Sequence, residues 1–165
     1  MLRRITLLVA VVAALTMVAA GAALAANFIP GTNGPDVLRG TDNEDVIYGY
    51  GGADELYGLG ANDTLYGGSG NDIANGGAGN DTIRGQGGND TLRGQGGDDY
   101  VVGGPGDDFI YGGAGNDTLV SYDGEGGNDA VYCGDGTDTV YADAGDFVDP
   151  VSCADATVHT TPPPA

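Results

Sequence analysis

The chain has no lysine and no tryptophan, only three phenylalanines and one histidine, and its five arginines face 24 acidic side chains. Without lysine, and with a formal net charge of −19, it has no basic surface to meet phosphate or displace counterions. Nucleic acid and anionic lipid are therefore excluded as expected partners, and cations are favoured. So few bulky apolar residues alongside 33 glycines resemble the composition of disordered chains, which cannot offset the entropy of ordering a backbone. Only the order of the residues can answer that objection.

The single long apolar run lies at the start. Met1-Leu2-Arg3-Arg4 precedes an apolar stretch from Ile5 to about Val18, and small residues follow to Ala23-Leu24-Ala25. Basic residues, an apolar run shorter than a membrane span and an A-x-A pattern identify residues 1–25 as a secretory signal peptide cleaved after Ala25. Cleavage removes Arg3 and Arg4, leaving Arg39, Arg84 and Arg93, so the mature charge becomes 3 − 24 = −21. The product is expected outside the cell or in its envelope, with no membrane insertion after cleavage.

What remains is periodic. Aspartate recurs every nine residues at Asp36, Asp45, Asp54, Asp63, Asp72, Asp81, Asp90, Asp99, Asp108 and Asp117. Two positions beyond each stands an aliphatic residue: Leu38, Ile47, Leu56, Leu65, Ala74, Ile83, Leu92, Val101, Ile110 and Leu119. A glycine-rich loop precedes each aspartate, as in Gly76-Gly77-Ala78-Gly79-Asn80-Asp81-Thr82-Ile83-Arg84 and Gly112-Gly113-Ala114-Gly115-Asn116-Asp117-Thr118-Leu119-Val120. The units starting at Gly31 and Gly40 keep the acid and the aliphatic residue but lose several glycines, as terminal repeats tend to. After Leu119 the next fitting aspartate is Asp129, twelve residues beyond Asp117, so residues 121–123 read as an insertion. One more unit, with Asp138 and Val140, follows before the pattern dissolves through Phe147 and Pro150.

The G-G-x-G-x-D-x-U-x pattern resembles the calcium-binding nonapeptide of the RTX (repeats-in-toxin, hemolysin-type) family from Gly31 to Val120. The resemblance implies an all-β fold, a right-handed parallel β-roll in which successive loops alternate between two sides and two units complete a turn. The residues themselves divide each unit into a three-residue strand with its aliphatic side chain in the core and a six-residue loop. Asp36, Asp54, Asp72, Asp90 and Asp108 would line one side, and Asp45, Asp63, Asp81, Asp99 and Asp117 the other. At a strand spacing of about 4.8 Å, neighbouring unneutralised carboxylates repel by about 0.9 kcal/mol in bulk water and by several times that near a protein surface.

A cation between them answers that repulsion. A hard ion seeking six to eight oxygens would take carboxylates eighteen residues apart together with backbone carbonyls, such as those of Gly67, Gly68, Gly70, Gly76, Gly77, Gly79, Gly103, Gly104, Gly106, Gly112, Gly113 and Gly115. Calcium fits. Magnesium retains its waters, zinc wants His or Cys, and no EF-hand loop is present. Ten loops paired two apart give 10 − 2 = 8 sites, and eight divalent ions would bring −21 to −21 + 16 = −5. With one aliphatic side chain per nine residues, folding is expected to require the metal.

Residues 121–158 are expected to form degenerate repeats and a cap, stapled by a disulfide between Cys133 and Cys153, the only cysteines. Residues 159–165 are expected to be a flexible tail carrying His159 without chemistry. The aspartates are already explained by the repeat, so no catalytic pair is left over and no enzyme is expected. The Asn-Asp-Thr sequons, as at Asn80, are by-products of the repeat. The reading is a secreted calcium-binding structural or interaction protein; an adhesin or matrix component, with Tyr48, Tyr50, Tyr57 and Tyr66 as an aromatic stripe, and an RTX module of a toxin or hydrolase are the alternatives.

Overall fold

The structure is a computed structural model that describes residues 26–124 and 127–164. The expected signal peptide lies outside the described residues. Among these, the strands in chain order are β1 (Asn27–Thr32), β2 (Val37–Arg39), β3 (Asp45–Gly51), β4 (Glu55–Gly60), β5 (Thr64–Ser69), β6 (Ile73–Ala78), β7 (Thr82–Gly87), β8 (Thr91–Gly96), β9 (Tyr100–Val102), β10 (Phe109–Ala114), β11 (Thr118–Val120), β12 (Ala130–Asp135), β13 (Thr139–Tyr141), β14 (Phe147–Val148) and β15 (Thr157–His159).

Odd-numbered strands form one eight-stranded sheet and even-numbered strands one seven-stranded sheet, every pairing parallel. The chain thus crosses to the other sheet at every unit and returns after two, giving a β-solenoid of about seven turns. Pairing advances by one two-unit turn, as in Ile47↔Leu65, Leu65↔Ile83 and Leu56↔Ala74. The aliphatic residues consequently stack into two facing columns, and Ile47, Leu56, Leu65, Ala74, Ile83, Leu92, Val101, Ile110, Leu119, Val131 and Val140 are all fully buried. The core is one side chain deep from each sheet, so each turn contributes little apolar burial and adjacent turns must be held together by other means.

The strands are longer than the expected three residues. Most run for six, because the first glycines of each loop also pair with the loop one turn away, as in Gly68↔Gln86 and Gly77↔Gln95. Stacked loops leave few backbone groups for water, and so they enter the ladder.

The insertion at residues 121–123 is absorbed without loss of register: Phe109 pairs with Ala130 and Leu119 with Val140. The solenoid also extends beyond the recognisable repeat at both ends. At the start, β1 pairs with β3 and brings Ile29 beside Ile47. At the other end, Val148 and Val158 continue the two columns. His159, expected in a flexible tail, belongs to β15, and its ring stacks on Tyr141 at 4.8 Å. The Cys133–Cys153 disulfide is present, with both residues buried against the end of the core.

The four tyrosines do not form one stripe. Tyr48, Tyr50 and Tyr66 cluster on the odd sheet, whereas Tyr57 lies on the even sheet beneath the Arg39 guanidinium at 5.0 Å. The period of nine reverses the sheet at each step, so residues nine apart never share a face.

Candidate metal centre

Each repeat aspartate opens or immediately precedes a strand, so alternate aspartates fall on opposite sides of the roll as expected. Within one side, each carboxylate from Asp54 on reaches back one turn. The Asp63 amide donates to Asp81 Oδ1, Asp72 to Asp90 Oδ1, Asp81 to Asp99 Oδ1 and Asp90 to Asp108 Oδ1, all at 2.8 Å and eighteen residues apart. The ladder begins at Asp36 and Asp45 and continues across the insertion, from Asp108 to Asp129 Oδ1 at 2.7 Å and from Asp117 to Asp138 Oδ1 at 2.8 Å.

The second carboxylate oxygen is different. Oδ2 of Asp54, Asp63, Asp72, Asp81, Asp90, Asp99, Asp108, Asp117 and Asp129 is buried without a hydrogen-bond partner. A buried acceptor left unpaired costs free energy, and a buried charge left unpaired costs more. A column of such atoms is therefore unstable unless protonated or matched by a cation. Desolvation is the largest influence on these carboxyls and pushes Asp63, Asp81, Asp108 and Asp117 up to about 6, and Asp90, Asp99 and Asp129 to about 7. The neighbouring aspartates on the same side add to the rise at Asp63, Asp90 and Asp99, and the amide donated to Oδ1 opposes it.

The first glycine of each loop makes room for that oxygen. A side chain at Gly58, Gly67, Gly76, Gly85, Gly94, Gly103 or Gly112 would run into Oδ2 of the aspartate five residues later. Over Gly67, the position a Cβ would take lies 2.5 Å from Asp72 Oδ2 and 2.8 Å from the Gly85 carbonyl oxygen of the next turn. A carboxylate oxygen and a carbonyl oxygen thus converge on one small space per loop.

The fourth loop position turns through positive φ, at 126° in Gly70, 129° in Gly79, 147° in Gly106 and 135° in Gly115. Among the described residues, no backbone amide donates to these four carbonyls, whereas the third-position carbonyls of Gly87 and Gly96 accept from the amides of Gly70 and Gly79. Of the expected carbonyl set, Gly67, Gly76, Gly103 and Gly112 hold the first position and Gly68, Gly77, Gly104 and Gly113 the second. The donor set is all oxygen, anionic and crowded, which suits calcium rather than a metal seeking nitrogen or sulfur.

The ends depart from this pattern. Asp36 is only partly buried, and its Oδ2 accepts from the Thr32 amide and hydroxyl; Asp45 Oδ2 accepts likewise from Thr41. At the far end, Cys133 takes the first-glycine position before Asp138, so a side chain occupies the space left open elsewhere. The eight aspartates from Asp54 to Asp117 make the uniform part.

Two features extend the expected site beyond Asp117 and outward from the aspartates. Asp129 behaves as a full member, being buried, laddered and carrying an orphaned Oδ2. The Asn128-Asp129 pair was its sequence signal. In addition, from Asn62 on, the residue before the aspartate forms an outer ladder of opposite direction: the Asn80 amide donates to Asn62 Oδ1, Asn89 to Asn71 Oδ1 and Asp98 to Asn80 Oδ1. Its signal was the recurrent Asn-Asp dipeptide.

A family model described as RTX calcium-binding nonapeptide repeat (4 copies) matches residues 30–65, 57–92, 66–101, 84–119, 93–129 and 121–146. No curated protein matches the chain. The matches span most of the sequence and coincide with the turns that carry the aspartate ladders, so the chain belongs to the RTX calcium-binding nonapeptide repeat family.

Proposed function

We propose that this is an exported, non-catalytic protein that binds calcium between consecutive turns on each side of the roll and depends on it to fold. One observation carries the reading: the buried, unpartnered Oδ2 atoms of Asp54 to Asp117, one per turn on each side. Each ion would draw on two aspartates of neighbouring turns and on loop carbonyls, with the fourth-position glycines the ones free to turn toward it. Six pairs lie within the uniform aspartates, Asp36 and Asp45 add one each at the start, where Thr32 and Thr41 already donate to Oδ2, and two cross the insertion, the last altered by Cys133. The ladder thus holds 6 + 2 + 2 = 10 pairs, of which the outer four depart from the uniform set. Isothermal titration of the mature chain with calcium should saturate near eight ions; one or two would contradict the reading.

Export is supported by the apolar leader and by a disulfide, which persists in oxidising compartments. An adhesin or matrix role is favoured by the outer faces, where Val37, Ile73, Phe109 and Phe147 are exposed on the even sheet. Capture from native cell envelope, with and without chelator, separates that role from a free calcium binder.

A further inference from the structure

The second loop position takes up positive φ, which glycine adopts freely and L residues adopt only at steric cost. Gly68, Gly77, Gly104 and Gly113 meet the requirement, yet Tyr50 at 73°, Leu59 at 87°, Gln86 at 81° and Gln95 at 83° hold the same position. Along each side they alternate with glycine: Tyr50 stacks on Gly68 and Gly68 on Gln86, while Leu59 stacks on Gly77 and Gly77 on Gln95. The glycine between two side chains forms a floor. Leu59 and Gln95 share this backbone cost on the other side, so positive φ does not by itself mark a site, and what sets the Tyr50 side apart is what its side chains line.

On the side that carries Tyr50, the outcome is an open groove of about 400 Å³ lined by Tyr50, Gly68, Ser69, Gln86, Gly87 and Pro105. Its end walls, Tyr50 and Gln86, stand two strand spacings apart, about 10 Å. The Tyr50 ring is half exposed and stacks on the Tyr48 ring at 5.8 Å. None of the lining side chains is charged. An aromatic ring, an amide that both donates and accepts, and a hydroxyl provide what a polyhydroxylated ring needs: an apolar platform and two-way hydrogen bonding. The acidity of the rest of the chain disfavours an anionic ligand.

We propose that this groove is a binding site for a neutral oligosaccharide, with Tyr50 as its platform and Gln86 and Ser69 as its hydrogen-bonding groups. The opposite side supplies an internal control. Nine residues on, the same positions hold Leu59, Gly77, Ala78, Gln95, Gly96 and Ala114, so the ring and the hydroxyl are replaced by aliphatic groups.

The test uses the calcium-loaded mature chain, with cellohexaose, maltohexaose and chitohexaose each titrated to millimolar concentration while backbone amide resonances are followed by NMR. Shifts at Tyr50, Ser69 and Gln86 with at least one of the three are expected. The paired variant Tyr50→Gly with Gln86→Gly should lower that affinity by about tenfold or more while leaving the melting temperature unchanged or higher, because the strained residues are gone. The paired variant Leu59→Gly with Gln95→Gly should bind as the parent does. Absence of shifts with all three sugars, or equal loss of binding in both paired variants, would overturn the proposal.

Discussion

Replacing Asp90 by asparagine separates the two roles of the ladder carboxylate. The amide side chain keeps an oxygen to accept from the Asp72 backbone N–H and loses the charge of the orphaned Oδ2. Burial raises the Asp90 carboxyl from 3.8 to about 7. Ionising it in the folded chain at pH 8 therefore costs about 4 kcal/mol relative to the unfolded chain, an upper figure. In chelator, Asp90→Asn should thus stabilise the roll by as much as that, less the cost of burying an amide N–H₂, which the nearby Gly103 carbonyl reduces as an acceptor. With saturating calcium the sign should reverse, since Asp90 serves the turn pairs with Asp72 and with Asp108. Far-UV circular dichroism reads both effects, as the folded fraction in chelator and as the urea midpoint with calcium. Shifts of the same sign in the two conditions would refute the assignment of Asp90 as a metal ligand and leave it a structural acceptor.

Gly76→Ala should abolish folding or cost several kcal/mol, because the methyl collides with Asp81 Oδ2, whereas Gly87→Ala, whose nearest foreign atom would lie 4.0 Å away, should stay within about 0.5 kcal/mol in thermal melts. The raised carboxyls of Asp63, Asp81, Asp90 and Asp99 bind protons more tightly in the folded chain than in the unfolded one. Calcium-free stability should therefore be greatest below about pH 4, fall as pH rises toward 7 and level off above it, while calcium affinity rises over the same interval; the folded fraction by far-UV circular dichroism in chelator across that range checks the first and titrations the second. Replacing Cys133 and Cys153 together by alanine removes a link across 20 residues and should lower stability by about 3 kcal/mol, read as the same loss on adding reductant to the parent.

The period of nine made the fold legible, since an aspartate and an aliphatic residue at fixed offsets determine which side chains face the core and which line each side. Strand length was not legible, because pairing of the loops depends on the turn above and leaves no trace in the apolar pattern. Ile29, Val148 and Val158 escaped for a related reason: single aliphatic residues extend the columns where the glycines and aspartates have been lost. The carboxylates of the site were legible down to the eighteen-residue spacing. Their division into one laddered and one orphaned oxygen was not, because it depends on which way each carboxyl turns against the first glycine.

Buried, unmatched carboxylates should make the roll dependent on calcium. Far-UV circular dichroism of the mature chain in excess chelator at neutral pH, followed by millimolar calcium, tests that dependence directly. A largely disordered spectrum that converts to a β spectrum on adding calcium is predicted; a β spectrum that calcium leaves unchanged would contradict it.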